Sequence, residues 1–233
     1  MNTKQVLLDN IVFSLQRAGG ISVVWENIIT ALQRCGLEYE CLEYPSNEGN
    51  IVRKAMVPFN CRKIKPLSMW IERYSNPCIE ASHPFIFHSS YYRTCINKNA
   101  INVTTVHDFT FELFNKGLAA KVHKCQKFRA IRNSDVIVCI SENTKQDLLK
   151  FLPDVKPEKI RVIYNGVSED YHQVESHRWD SLGEYVVFVG SRQPYKQFQF
   201  TVEAIKDTPY KLAIVGGKLS EAEIAFLDST IGK

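Results

Sequence analysis

The chain has 233 residues, of which 45% are hydrophobic and 23% are charged, and its formal net charge is +4. This composition is typical of a soluble globular protein of one or two domains, and no apolar run reaches the roughly 18 residues of a membrane span. Asp9 interrupts the place where a signal peptide would have its apolar core, so we expect a cytoplasmic protein.

Apolar runs of strand length alternate along the chain with stretches of helical periodicity, an order that predicts a parallel α/β fold. Ser141 is expected to cap one of these helices. The predicted strands are residues 5–8, 37–42, 85–88, 102–106, 136–140, 161–164, 186–189 and 212–215, and the predicted helices are 21–34, 116–132, 142–152, 197–206 and 220–230.

A domain boundary is expected after Asn165–Gly166, because this turn sequence is followed by a polar stretch without periodicity. We therefore assign a first domain to residues 1–168, a linker to 169–183 and a second domain to 184–233. The first domain is expected to be a complete Rossmann-like unit. The second supplies only about two strands, fewer than a doubly wound unit needs, so we expect it to be the first part of a Rossmann-like domain.

The seven cysteines are odd in number, and no two lie within four residues of each other. This spacing favours neither a disulfide framework nor a zinc site. No G-x-G-x-x-G, P-loop or G-x-S-x-G motif is present, which argues against a nicotinamide or flavin enzyme, a P-loop NTPase and an α/β-hydrolase.

Positive charge is concentrated in residues 51–74, where six Lys and Arg side chains accompany one acid, Glu72. The segment has no nucleic-acid reading motif, so nucleic acid is not an expected partner. A solvated face is the ordinary explanation. The alternatives are an acidic acceptor and a peripheral contact with the inner face of an anionic membrane, with Phe59 and Trp70 among the cations.

The run from Tyr185 to Lys196 is the most informative stretch. An apolar strand ends at Gly190 and is followed by Ser191, Arg192 and Lys196 before a helix. Free backbone N–H groups and two cations at one turn predict a phosphate or diphosphate site. The alternative is a surface turn with solvated basic side chains.

Two further loops are candidates for a ligand site. Gly19 and Gly20 precede a helix and would allow close approach of a ligand, although such a pair is more often only a turn. His107 and Asp108 follow a predicted strand at the edge where open α/β sheets bind ligands. A capping aspartate beside an incidental histidine is the equally weighted alternative.

Taken together and in order, these motifs resemble family-4 retaining glycosyltransferases of GT-B fold. The resemblance covers essentially the whole chain and then stops where the family continues within its second domain. The matching segments are residues 19–21, 88–93, 106–110, 140–144, 163–167 and 189–196.

This resemblance implies a nucleotide-sugar donor and a glycan or lipid-linked acceptor, with the acceptor bound mainly by the first domain. His107 matches the histidine that contacts the donor sugar. The family's donor-diphosphate site is matched by Gly190, Ser191, Arg192 and Lys196. In the family an arginine directly follows the glycine, whereas this chain has Ser191 at that position. The glycine loop matches Gly19 and Gly20, and the acceptor side is assigned to Asp108, Tyr91 and Arg93.

The chemistry of such a site needs cations on the departing diphosphate rather than a metal ion. We therefore expect no metal or other cofactor and nominate no carboxylate nucleophile. Nothing after Gly217 resembles the family's E-x7-E segment, so weak or absent activity of this chain alone is expected. The alternatives are a non-catalytic glycan- or partner-binding module and a nucleotide-sugar epimerase, for which no acid/base pair is evident.

Overall fold

The computed structural model of the chain describes residues 5–66, 68–168, 171–173, 181 and 183–232. Two compact units make up the chain, residues 1–166 and 167–233. Most of the predicted linker, residues 169–183, lies outside the described residues.

The first unit is built on a seven-stranded sheet in which all neighbouring strands are parallel. Its strands are β1 Val6–Asp9, β2 Tyr39–Glu43, β3 Cys61–Lys63, β4 Phe85–Ser89, β5 Ala100–Val106, β6 Val136–Cys139 and β7 Ile160–Val162. The strand order is β3-β2-β1-β4-β5-β6-β7, so the direction of progression reverses between β1 and β4. Open α/β sheets form a ligand-binding crevice at the carboxyl ends of strands at such a point.

Helices connect the strands of the first unit. They are α1 Val12–Leu15, α2 Gly20–Arg34, α3 Ile51–Ala55, α4 Met69–Glu72, α5 Thr110–Phe114, α6 Leu118–Arg132 and α7 Glu142–Phe151. The predicted cap of α7 is present, since the Ser141 hydroxyl accepts a hydrogen bond of 3.0 Å from the backbone N–H of Thr144. Asn50 caps α3 in the same way through Val52 and Arg53.

The core of the first unit consists of side chains of the sheet packed against these helices. Leu8 of β1 packs with Trp25 and Ile29 of α2, while Ile137 of β6 packs with Leu148 of α7. All five are at most 2% exposed. Burying an aliphatic side chain of this size contributes roughly 1.5–3 kcal/mol, which is why these apolar runs form strands and helices that pack together.

The second unit contains a parallel pair of strands, β8 Tyr185–Val189 and β9 Lys211–Val215, and two helices, α8 Phe198–Ile205 and α9 Glu221–Thr230. One face of the pair packs on the helices around the buried residues Phe188, Phe198 and Val202. The other face of the strands leaves apolar side chains exposed, including Val187, Val189 and Val215.

All eight strands predicted from the sequence are confirmed, whereas β3 was not predicted. The sequence of β3, Cys61-Arg-Lys, is too short and charged to give an apolar pattern. It lies at the edge of the sheet, where charged side chains are common because they discourage pairing with another chain.

Candidate functional site

Polar side chains meet where the strand order reverses, between β1 and β4. Asp9 ends β1 and pairs in register with Ser89, which ends β4. The Ser89 hydroxyl donates to Asp9 Oδ2 over 2.7 Å, and the Ser90 hydroxyl donates to the Asp9 carbonyl oxygen over 2.7 Å. All three residues are buried, so these bonds fix the carboxyl edge of the sheet.

Arg93, which was expected on the acceptor side, is fully buried behind this edge. Its Nη2 donates to Glu72 Oε1 over 2.5 Å, and its Nε lies 3.6 Å from Asp9 Oδ2. Its guanidinium carbon lies 5.2 Å from the centre of the Tyr44 ring. The guanidinium therefore contacts protein side chains, and its two acidic neighbours are Asp9 at the end of β1 and Glu72 at the end of α4.

Tyr91, the second of the expected acceptor-side residues, is partly buried beside this pair of strands. Its hydroxyl accepts a 2.6 Å hydrogen bond from Arg73 Nη2. The Arg73 guanidinium also lies 5.0 Å from the centre of the Tyr91 ring, which orients the phenol.

His107 follows β5 at the same sheet edge and is partly buried. Its pKa is lowered by burial, and the nearby Lys127 lowers it further while Asp108 opposes the shift. An imidazole of this kind is neutral at pH 7 and offers one hydrogen-bond donor and one acceptor.

His88, near the end of β4, is a second imidazole at this edge that the sequence did not single out as a site residue. Burial and the neighbouring His107 lower its pKa to about 4. Its Nε2 lies 2.9 Å from the Thr105 hydroxyl, and its ring meets the Trp25 ring edge-on at 4.9 Å. The Trp25 indole N–H in turn donates to Asn10 Oδ1 over 2.7 Å. The His88 ring is therefore held by Thr105 on one side and by the fixed Trp25 ring on the other.

The turn that carries His107 is fixed by a buried ion pair. Lys127 of α6 donates from Nζ to the carbonyl oxygen of Asp108 and, over 2.9 Å, to Glu112 Oε2. The ammonium also lies 3.9 Å from the centre of the Phe109 ring. The side chains of Lys127 and Glu112 are 1% and 0% exposed. Residues 108–112 are thus held by one ammonium group, which sequence reasoning missed.

Asp108 itself is exposed, and its Oδ1 accepts a 3.0 Å hydrogen bond from the backbone N–H of Thr110 at the start of α5. This contact closes a local turn, but the N-cap position of α5 is Phe109 and carries no side-chain cap, so Asp108 is not the helix cap that was weighed against a binding role.

The glycine loop before α2 lies at the surface, with Gly19 and Gly20 both exposed. A Cβ added at Gly20 would meet nothing within 4 Å, whereas one at Gly19 would lie 2.9 Å from the Gln16 side-chain amide nitrogen. Asn50 holds the loop by donating to the Gln16 carbonyl oxygen over 2.8 Å and to the Ser22 hydroxyl over 2.9 Å.

In the second unit, Gly190 ends β8 with a φ of +115°, a conformation that favours glycine. Its N–H donates to the Val215 carbonyl oxygen over 2.8 Å. A Cβ at Gly216 would lie closer than 3.0 Å to the Gly190 carbonyl oxygen, so the two loops touch through bare backbone. Ser191 follows and is exposed.

The two cations expected on a diphosphate have different surroundings. Arg192 Nε donates to Glu223 Oε1 over 2.7 Å, and its Nη atoms donate to the carbonyl oxygens of Gly217 and Lys218 over 3.1 and 2.8 Å. This guanidinium contributes to lowering the Glu223 pKa to about 2. Lys196 is exposed, with its Nζ 5.3 Å from the centre of the Tyr195 ring.

Arg192 therefore ties the loop after β8 to the loop after β9, and its charge is largely offset by Glu223. Lys196 is the more exposed of the two cations.

The basic segment 51–74 is partly neutralised by acids outside it. Arg53 pairs with Glu43 and Arg62 with Glu40, each at 2.5 Å. No helix within the described residues is both long and apolar enough to cross a membrane. Across the same described ranges, no three His, Cys, Asp or Glu side chains are grouped so that they could hold a metal ion.

The fold as a whole matches a crystal structure of a glycosyltransferase from Rickettsia africae with a TM-score of 0.57, covering 99% of this chain and 64% of that chain. Because the two sequences are 16% identical, this likeness shows the fold alone, a GT-B-like α/β fold.

The profile described as Glycosyltransferase Family 4 matches residues 18–171, well over half of the chain, and the chain belongs to that family. A curated relative, an uncharacterized glycosyltransferase from Methanocaldococcus jannaschii, is 28% identical over 218 residues. That alignment covers 86% of this chain and 57% of the relative, so the chain spans little more than half of the relative's length.

Proposed function

We propose that this chain takes part in the transfer of a sugar, with retention of configuration, from a nucleotide-sugar donor to a glycan or lipid-linked acceptor. Membership in glycosyltransferase family 4 is the observation that carries the proposal. The activity of the whole protein is part of what is proposed, because the chain spans 57% of its curated relative.

The donor diphosphate is assigned to the loop after β8. Lys196 supplies the exposed charge, while Gly190 and Ser191 supply backbone and hydroxyl contacts. Arg192 keeps the loop in place through Glu223 and the backbone of the following loop. Cations fixed in advance stabilise the negative charge that develops on the departing diphosphate.

The first unit is assigned to the acceptor, with Asp108 at its surface and His107 directed to the sugar. A neutral imidazole can exchange hydrogen bonds with sugar hydroxyls without adding a charge that would oppose a cationic transition state. The buried Asp9 and the partly buried Glu72 both pair with Arg93, so neither is assigned as a nucleophile. The leaving phosphate then takes the acceptor proton on the same face of the sugar.

An assay with a nucleotide sugar and an acceptor, followed by NMR of the product's anomeric carbon, tests this function. We expect retained configuration and the same rate in excess EDTA. Inverted product, or activity that EDTA abolishes and Mg²⁺ or Mn²⁺ restores, would contradict the proposal.

A second candidate is a non-catalytic module that binds a glycan or a partner protein. The exposed apolar face of β8 and β9 favours it, because both faces of parallel sheets are usually covered. Glycan binding that is unchanged by Lys196→Ala, without any binding of nucleotide sugars, would support the module over the enzyme.

A further inference from the structure

The outward face of α6 differs from an ordinary solvated helix face. Its inward positions include Ala120, Lys127 and Ile131, which are at most 9% exposed. On the other side of the helix, Leu118 is 79% exposed and Val122 is 41% exposed. These two positions are one turn apart, so their side chains lie on the same outward stripe.

The charges around this stripe have one sign. Residues 113–133 contain six Lys and Arg side chains and no Asp or Glu. Of these six, Lys127 is buried in its pair with Glu112, and Arg132 pairs with Asp154 at 2.7 Å. Arg129 donates to a backbone carbonyl oxygen, and the exposed Lys116, Lys121 and Lys124 remain beside the apolar stripe.

A groove of about 560 Å³ runs along the same helix and combines charge with apolar surface. Lys121, Lys124 and Arg129 line it, together with Cys125 and Phe128. The Lys124 ammonium lies 5.2 Å from the centre of the Phe128 ring, so its charge is presented at the wall of the groove.

A second apolar strip lies next to α6. Gln126 Nε2 donates to the Arg73 carbonyl oxygen over 2.6 Å, and Arg129 Nη2 donates to the Tyr74 carbonyl oxygen over 2.9 Å. These bonds hold the end of α4 against α6. In α4, Trp70 and Ile71 are 78% and 64% exposed.

We propose that α4 and the outward face of α6 form one surface that docks the first unit on an anionic phospholipid bilayer. Exposed apolar side chains would enter the interface, and the lysines and the groove would meet lipid phosphates, as in other amphipathic interfacial helices. Charge complementarity favours an anionic partner. The apolar side chains are spread along two helices rather than gathered in one pocket, and this arrangement favours a bilayer over an acidic protein.

Co-sedimentation of the full chain with phosphatidylcholine vesicles, with and without 30 mol% phosphatidylglycerol, tests the proposal. We expect strong binding only to the anionic vesicles. Lys121→Gln/Lys124→Gln should weaken the partition coefficient on the order of 25-fold, since each lysine near such a surface contributes about fivefold. Leu118→Ser/Val122→Ser should also release the protein from vesicles.

Two matched controls make the result specific. Val23→Ser/Leu37→Ser removes two apolar side chains near the two ends of α2 that are 47% and 46% exposed, and it should leave binding unchanged. Lys54→Gln/Lys65→Gln removes two lysines from the basic segment 51–74 and should have a much smaller effect than the α6 pair.

Equal binding to neutral and anionic vesicles, or full binding by the Lys121→Gln/Lys124→Gln variant, would overturn the proposal. Melting curves for each variant show whether it is folded. The assay contains no sugar substrate, so its outcome is independent of whether the chain transfers sugar.

Discussion

The buried ion pair between Lys127 and Glu112 gives the sharpest stability prediction. Lys127→Met keeps the length of the side chain and removes its ammonium group. The Glu112 carboxylate, 0% exposed, is then left without its 2.9 Å partner, and the Asp108 carbonyl oxygen loses a donor.

Breaking a buried pair by removing one partner typically costs about 3–5 kcal/mol, because an uncompensated charge stays in the interior. We expect Lys127→Met to lower the free energy of unfolding of the first unit by about this amount. The double variant Lys127→Met/Glu112→Leu removes both charges and should recover most of the loss. Lys121→Met, on the exposed face of the same helix, should stay within about 0.5 kcal/mol of the parent.

Urea unfolding followed by circular dichroism measures these differences. NMR titration of His107 adds a second readout, since loss of the nearby ammonium should raise the pKa of that imidazole. A cost below about 1 kcal/mol for Lys127→Met, or a double variant no more stable than the single one, would refute the reasoning.

Three further predictions concern pH, backbone and capping. Since the pKa of His88 is about 4 in the fold against 6.5 ordinarily, the unfolded chain takes up a proton first as the pH falls. The free energy of unfolding should therefore decline by about 3 kcal/mol between pH 6.5 and pH 4. His88→Asn should remove this decline, whereas His83→Asn, which replaces an exposed histidine, should keep it. Urea titrations at several pH values measure both. Gly216→Ala should destabilise the second unit through its clash with backbone, whereas Gly217→Ala has nothing within 4 Å; equal melting temperatures would be incompatible with the described contact. Ser141→Ala should cost about 1 kcal/mol by removing the cap of α7, and an unchanged midpoint of chemical unfolding would argue against that cap.

Much of the fold could be predicted because the strands of a parallel sheet are covered on both faces and therefore read as apolar runs. The run at residues 136–140 is of this kind, and it became strand β6. The charged edge strand β3 and the short helix α3 could not be found in this way. They depend on pairing with β2 and on the cap from Asn50, and neither gives a periodic pattern.

The site was predictable only in part. Gly190 and His107 follow strands, so their place at a carboxyl edge could be inferred from the order of elements. The partners of the charged residues could not, because they come from distant parts of the chain. Glu223 lies 31 residues after Arg192, and Arg93 pairs with Asp9 across the reversal in strand order. The one available signal was a charged residue at an inward position of a helix, as at Lys127.

Calorimetric titration with nucleotide sugars tests the central claim most directly, by comparing the parent chain with Lys196→Ala and with Lys206→Ala, an exposed lysine just past the far end of α8. A lost hydrogen bond to a charged group costs about 1.5–3 kcal/mol, so Lys196→Ala should weaken binding roughly 10- to 150-fold while Lys206→Ala binds like the parent. Nucleotide-sugar binding that is equally tight in all three proteins would contradict the assignment of the loop after β8 to the donor diphosphate.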